Sequence, residues 1–390
     1  TYGPPPLGTL VQFMEGWVYH HYGSYEDSSA YKLCPLYAED MLFGSGPPSI
    51  SAVVREPCAP TSEDTEVLIS CVIMDNSTIT SAVIHYSVDG GTYQTAAMHS
   101  DVDSLWTGTI PVSNNNDVNY YITATDDGED QSEPKTSMYP YDIEHEQMGF
   151  VVTDNLTIEH VQKTIWPSGT TRYQGCEVTL SGIVTADTSQ FIVDSSYAFQ
   201  DGNGQWSGLM FKTPEMVLLT RGDDVRVTGT IEDFDPAWHF KFDGNTRLIN
   251  STVVVNSSGN NVPSPSLISC SDVAFGAEDS DPESYEGVLV KMDQVTISTV
   301  NSFDWTITDA SGAVTLIDDD MATMLADNAM SEFVEGQQLD YISGIFNYSF
   351  GTFKIQIRDM DDIGQALGVD DEAGNIAYNY SLHDNYPNPF

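Results

Sequence analysis

The sequence predicts an all-β protein: tandem Greek-key barrels with a β-sandwich between the first and the second. Three observations predict it. Apolar residues alternate with polar ones in short runs punctuated by Gly, the signal of half-buried strands. The chain holds 20 Tyr, 16 Phe and 6 Trp, side chains that fit a pleated surface. Related stretches also recur along its 390 residues, a length that suits about two to four domains.

The repeat comes first because it defines the barrels. "GTLVQFMEGWVYHHYGSYEDSSAYKLCPLYAEDM" from Gly8, "GDDVRVTGTIEDFDPAWHFKFDGNTRLI" from Gly222 and "GQQLDYISGIFNYSFGTFKIQIRDMDDI" from Gly336 read alike. Each opens on Gly, alternates, and reaches a second Gly: Gly16, Gly229 and Gly344. Each then has an aromatic-Lys-apolar triplet around Lys32, Lys241 and Lys354, and closes near Met41, Ile249 and Ile363. Upstream, "YQGCEVTLSGIVT" from Tyr173 parallels "YEGVLVKMDQVT" from Tyr285, and "FQDGNGQWSGLMF" from Phe199 parallels "ITDASGAVTLID" from Ile307.

The full unit is five strands, and a Gly inside a strand suits the sharp coiling of a small barrel. Five coiled strands over about 100 residues describe a Greek-key barrel of OB type. The pattern resembles OB-fold domains of bacterial secreted multidomain proteins, some of which stand beside nucleases. The units span 157–257 and 268–366. Residues 1–46 carry the second half alone, so Thr1 reads as a start inside a domain. The repeated Lys reads as a strand residue laying its stem over an aromatic with its head in water.

Between the half-unit and the first full unit, residues 47–152 follow another rhythm. "EVLISCVIMD", "SAVIHYSVDGGTYQTAAM", "LWTGTIPV" and "VNYYITATDDGED" are strands, and "VDGG" is a hairpin turn signal. The run Tyr120, Ile122, Ala124, Asp126 resembles a strand of Ig-like or fibronectin-type sandwiches. Trp106 is expected to pack in that core. Such modules are common spacers and adhesion units.

Residues 367–390 read as a linker and the start of another domain. "YSLHDNYPNPF" ends on Asn385, Tyr386, Pro387, Asn388, Pro389 and Phe390, a semi-rigid stretch because each Pro fixes its own φ and restrains its neighbour. It resembles the opening of the C-terminal sorting domain of bacterial type IX secretion cargo, with Tyr380 where Phe is usual. The resemblance implies export across an outer membrane and the type IX machinery as a partner, with the protein extracellular or at the cell surface.

The charge narrows the function. Asp and Glu number 58 against 13 Lys and Arg, a net charge of -45. Such a surface repels polyanions, so no nucleic-acid partner is expected of the barrels. It suits solubility in salt and attracts cations. No run of 18 apolar residues exists, so no segment is expected to span a membrane. Neither a signal peptide nor an initiator Met precedes Thr1, so processing removed the start or the chain is part of a longer one.

No G-x-S-x-G, H-E-x-x-H or P-loop occurs. His20 and His21 are strand neighbours and point to opposite faces, a poor basis for one metal site. Five Cys are present without a CxxC, which argues against zinc or redox motifs. If Thr61 to Asp64 form a hairpin turn, Cys58 and Cys71 fall opposite each other, a geometry that permits a disulfide of about 3 kcal/mol. Two separate buried thiols are the alternative. Loop carboxylates at Glu278, Asp279, Asp281 and Glu283, at Asp126, Asp127, Glu129 and Asp130, and at Asp318, Asp319 and Asp320 offer oxygens for Ca²⁺, without EF-hand spacing. No other cofactor is expected.

The leading reading is a secreted modular β-protein whose units serve as spacer, adhesion or binding modules toward matrix, glycan or other surface proteins. One alternative is the accessory region of an extracellular hydrolase, a nuclease or phosphoesterase, with its catalytic domain ahead of Thr1. The other is a glycan-binding set using Trp206 and Trp238, for which packing is the competing role.

Overall fold

The structure, a computed structural model, describes residues 11–22, 29–43, 46–102, 104–128, 133–166, 169–187, 196–232, 246–274, 280–301, 305–318, 333–349 and 352–365. The described residues are all-β, as the alternation predicts, apart from one short α-helix and a few single 3-10 turns. The N-terminal strands are β1 (Val11–Met14), β2 (Trp17–Tyr22), β3 (Ser29–Cys34) and β4 (Met41–Phe43). β1 pairs with β4 and β2 with β3, both antiparallel.

Nine strands build the sandwich: β5 (Ser49–Glu56), β6 (Glu66–Met74), β7 (Ile79–Val88), β8 (Gln94–Ala97), β9 (His99–Val102), β10 (Leu105–Pro111), β11 (Asp117–Asp126), β12 (Thr136–Tyr139) and β13 (Met148–Val151). One sheet runs β5-β6-β10-β9; the other runs β12-β11-β7-β8, with β13 also on β11. Val67, Ile69, Cys71 and Ile73 of β6 face Ile84 and Tyr86 of β7 and Val118, Tyr120 and Ile122 of β11 across an apolar core. These are alternate positions, so the intervening residues face outward. Trp106 packs against this core half-buried. Asp89 and Gly90 both take positive φ, 52° and 69°, the primed turn that matches strand twist.

A short helix α1 (Ile158–Gln162), capped by Thr157, leads into the first barrel. That barrel holds β14 (Glu177–Ala186), β15 (Ser196–Gln200), β16 (Gly208–Lys212), β17 (Asp224–Glu232) and β18 (Arg247–Ser257). After β19 (Ser266–Leu267), the second holds β20 (Leu289–Val300), β21 (Trp305–Thr308), β22 (Val314–Asp318), β23 (Gln338–Ser349) and β24 (Thr352–Gln356). Both follow the order one-two-three-five-four and close by pairing strand four to strand one. In both, strands three and five run parallel.

The upstream repeat is visible bond by bond. Gly175 and Gly287 take φ 77° and 73°, and their N–H groups donate to Ile231 and Phe346, each at 2.8 Å. Gly229 and Gly344 lie where strand four crosses strand five, and a Cβ at either would strike the facing strand. The downstream half needs a correction. Lys354 does not carry its head into water: it is buried and ion-paired with buried Asp318. Its ladder equivalent in the first barrel is Arg247, which pairs with Glu232 at 2.9 Å. Lys241 lies outside the described residues. The slip arises because β17 and β18 are separated by 233–246, whereas β23 and β24 are separated by 350–351. Ile249 accordingly sits inside β18 rather than after it.

The expected bond between Cys58 and Cys71 does not form. Cys58 is joined to Cys176, with Cα atoms 5.6 Å apart. Glu56 faces Leu68, so the ladder is centred near residue 62, and Cys58 lies past the strand end. Cys71 points into the sandwich core opposite the bulge of β5. Burial pushes its thiol up to about 12 and that of Cys270 up to about 11, so both stay protonated and unreactive. Cys34 is exposed. Native protein is therefore expected to react with an aromatic disulfide reagent at one thiol, Cys34, and at Cys71 and Cys270 only after denaturation. Fast labelling of Cys71 in the native protein would contradict the core placement.

The sandwich and first barrel share one core. Besides the disulfide, buried Arg55 donates to the carbonyls of Cys58 at 2.8 Å and Arg172 at 3.2 Å, and to that of Gly149. Its guanidinium also stacks over Phe150 and Tyr173, 5.1 and 5.2 Å from the ring centres. The two barrels meet through a polar seam. Gln200 accepts from the Leu289 N–H at 2.7 Å, Glu286 from the Thr246 N–H at 2.8 Å, and Arg358 donates to the Thr185 carbonyl at 2.8 Å. Gly208 and Gly287 touch backbone to backbone with no room for a Cβ. No described helix is long and apolar enough to cross a membrane.

Candidate functional site

With Tyr120, Ile122 and Ala124 of β11 turned inward, Tyr121 and Thr123 must turn outward. The same alternation turns His85 of β7 outward between buried Ile84 and Tyr86. The register sets His85 opposite Tyr121, and Thr95 of β8 opposite His85 on the far side. The His85 and Tyr121 rings stack with centroids 4.6 Å apart and planes 3° from parallel. Tyr93, just after the β7–β8 turn, leans over Tyr121 at 5.5 Å and 58°. Its hydroxyl bonds to Oε1 of Gln147, which is itself buried and held by the Ile143 carbonyl at 3.0 Å.

The result is a strip of three aromatic rings on a rigid sheet, with Tyr93 45% exposed at one end. The hydroxyl of Thr123 lies 2.9 Å from Nε2 of His85. Burial holds the His85 imidazole below its ordinary value, and burial raises the Tyr121 hydroxyl, helped by Tyr93. Near neutral pH His85 and Tyr121 are therefore uncharged. Flat π faces beside hydroxyls suit a ligand with an apolar face and a polar edge.

Away from the strip, an open cleft of about 1090 Å³ lies where the sandwich meets the first barrel. Asp154, Glu177, Asp201, Asp224 and Arg226 line it, and among the described residues no aromatic side chain does.

Three of the carboxylates expected to offer Ca²⁺ ligands, Asp318, Asp126 and Asp127, have partners within the fold. Asp318 is paired with Lys354. Buried Asp126 accepts through Oδ1 from the N–H groups of Gly128 and Lys135 at 3.0 and 2.6 Å, and Asp127 accepts from the Thr78 N–H at 3.1 Å. Asp281 and Glu283 lie in a short loop and turn at the barrel seam. Among the described residues no three metal-ligating side chains come together. Asp279, Asp319, Trp238 and the motif Asn385–Phe390 lie outside the described residues. Trp206 is half-buried at φ 63°, and its backbone N–H donates to the Ser284 carbonyl at 2.6 Å, which ties its backbone to the loop ahead of the second barrel.

The strip contains none of the Trp residues that the sequence offers as glycan platforms. The available signal was Tyr121 itself, a large aromatic on the outward phase of a strand whose inward phase is complete.

Residues 61–133 match the model of carbohydrate binding module family 56, a span holding β6 to β11 and with them His85, Tyr93 and Tyr121. No curated protein matches the sequence. Among solved structures, the chain is similar to the cycloalternan-forming enzyme of Listeria monocytogenes in complex with a pentasaccharide substrate, at 11% identity and a TM-score of 0.19, covering 77% of this chain. It is also similar to an uncharacterized Listeria monocytogenes protein bound to α-D-glucose, β-D-glucose, magnesium and calcium, at 11% identity and the same TM-score and coverage. The chain spans 18% of the length of either structure.

Proposed function

We propose that the sandwich is a carbohydrate-binding module and that the barrels hold it as rigid, non-catalytic supports. The observation that carries this reading is the aromatic strip of His85, Tyr121 and Tyr93 inside the span matching a carbohydrate-binding family. Sugar rings present an apolar C–H face to stack on such rings and a hydroxyl edge for Thr95 and Thr123. The inter-module disulfide supports an oxidising, extracellular setting, in keeping with the resemblance of the C-terminal segment to a type IX sorting domain. The test is electrophoresis of the 390-residue chain through gels carrying soluble polysaccharides, with pull-down on insoluble ones. Retardation by at least one glycan is expected, and no interaction across a broad panel would overturn the reading.

The site makes a pH prediction. Glycan contact removes more water from His85 and favours its neutral form further. His85 already titrates below its ordinary value of 6.5, so binding is unaffected above that pH and weakens as pH falls through the lowered pKa. Stability follows the same sign, because the unfolded chain takes the proton first. Replacing His85 with Gln is expected to flatten the binding profile between pH 7 and 5. A profile unchanged by His85→Gln would show that His85 is not the titrating group.

A further inference from the structure

The N-terminal strands expose what the complete barrels bury. Gly16 faces the Cys34 carbonyl as Gly344 faces that of Gln356, and Met14 pairs with Met41 as Ile342 bridges to Ile363. On this alignment Trp17, Val18 and Leu33 stand at the positions of Ile345, Phe346 and Ile355. The last three are 0% exposed, whereas Trp17 is 69%, Val18 65% and Leu33 41% exposed. Val11 and Met14 are likewise exposed where Leu339 and Ile342 are buried.

In the second barrel the cover is known: β20 pairs along β23, and β22 pairs along β24 in parallel. Among the described residues, β1 pairs only with β4, and β2 and β3 only with each other. The edges that would take strands one and three are open, a configuration that folded proteins normally cover. Trp17 and Val18 are neighbours in one strand and point to opposite sides, so large apolar side chains are exposed on both sides of the β2–β3 ladder, another mark of a missing partner.

We infer that β1 to β4 are the fourth and fifth strands of a third barrel, completed by a three-stranded antiparallel meander on the same polypeptide ahead of Thr1. The chain order argues for this source. In both complete barrels the three covering strands precede strand four, joined to it by a connection from Lys212 to Asp224 or from Asp318 to Gln338. A second copy of the half-barrel would bring only further fourth and fifth strands. This inference is independent of glycan binding.

The test compares the 390-residue chain with the native polypeptide extended N-terminally, by hydrogen exchange and by Trp17 fluorescence taken as the difference from Trp17→Phe. In the extended protein the β1 and β2 amides are expected to exchange about 100-fold more slowly, as for core rather than edge strands, and Trp17 emission moves to shorter wavelength. Unchanged exchange and emission would overturn the inference. So would a native polypeptide with no strand-forming residues ahead of Thr1. Concentration-dependent dimerisation that protects the same amides in the 390-residue chain would also overturn it, naming a second copy as the occupant.

Discussion

Tyr121→Ala is expected to weaken glycan binding by about 10- to 100-fold, the largest functional effect of any single change. The ring is the centre of the strip: His85 stacks on it at 4.6 Å and Tyr93 leans on it at 5.5 Å. Burying an aromatic side chain against a ligand contributes roughly 1.5–3 kcal/mol, and each 1.4 kcal/mol or so is tenfold in Kd. Truncation also frees His85 and Tyr93 from their positions. The fold itself survives, because a cross-strand aromatic pair supports a sheet by only about 0.2–1 kcal/mol. Tyr121→Phe retains the stacking face and is expected to bind within a few-fold of the parent. Calorimetric titration against the retained glycan checks both variants, with far-UV circular dichroism confirming the fold. Undiminished binding by Tyr121→Ala would move the site off this sheet.

The largest effect on stability is expected from Cys58→Ser with Cys176→Ser. The bond spans 118 residues, and closing a loop of that size in the unfolded chain stabilises the native state by roughly 4–5 kcal/mol. Arg55 and the shared core remain in the double variant, so the modules still dock, but the sandwich and first barrel are expected to unfold at markedly lower denaturant. Urea titration followed by aromatic fluorescence measures this. A change below about 1 kcal/mol would mean that the reduced chain retains structure that already holds these residues together.

Much of the architecture was legible because its determinants are local. Alternation at Val67 to Ile73 and Val118 to Asp126 fixes which side chains a strand buries, and Asp89-Gly90 fixes a primed turn. Gly175 and Gly287 mark the same left-handed corner in both barrels, which makes the start of the upstream repeat legible, whereas Val184 matches Ile297 rather than Val295 at its end. What escaped depends on contacts between distant segments. Nothing near Cys58 signals that its partner lies in the next module, and the hairpin argument failed once the loop pushed Cys58 past the end of its strand. The Lys354–Asp318 pair joins strands five and three, a contact that no local pattern around Lys354 encodes. The long 233–246 connection made a triplet around Lys241 imitate the true equivalent at Arg247. The aromatic strip required three elements in register, of which the sequence disclosed only the outward phase of Tyr121.

The Cys58–Cys176 bond also alters how the protein answers a pull on its two ends. Tension entering at the N-terminal side crosses from Cys58 to Cys176 through sulfur and continues into the first barrel, bypassing the 118-residue span between them. At about 3.4 Å per extended residue, roughly 400 Å of chain is thereby withheld from stretching. The strip of His85, Tyr93 and Tyr121 lies wholly inside that withheld span, so a tug along the chain does not unzip the sheet that carries it.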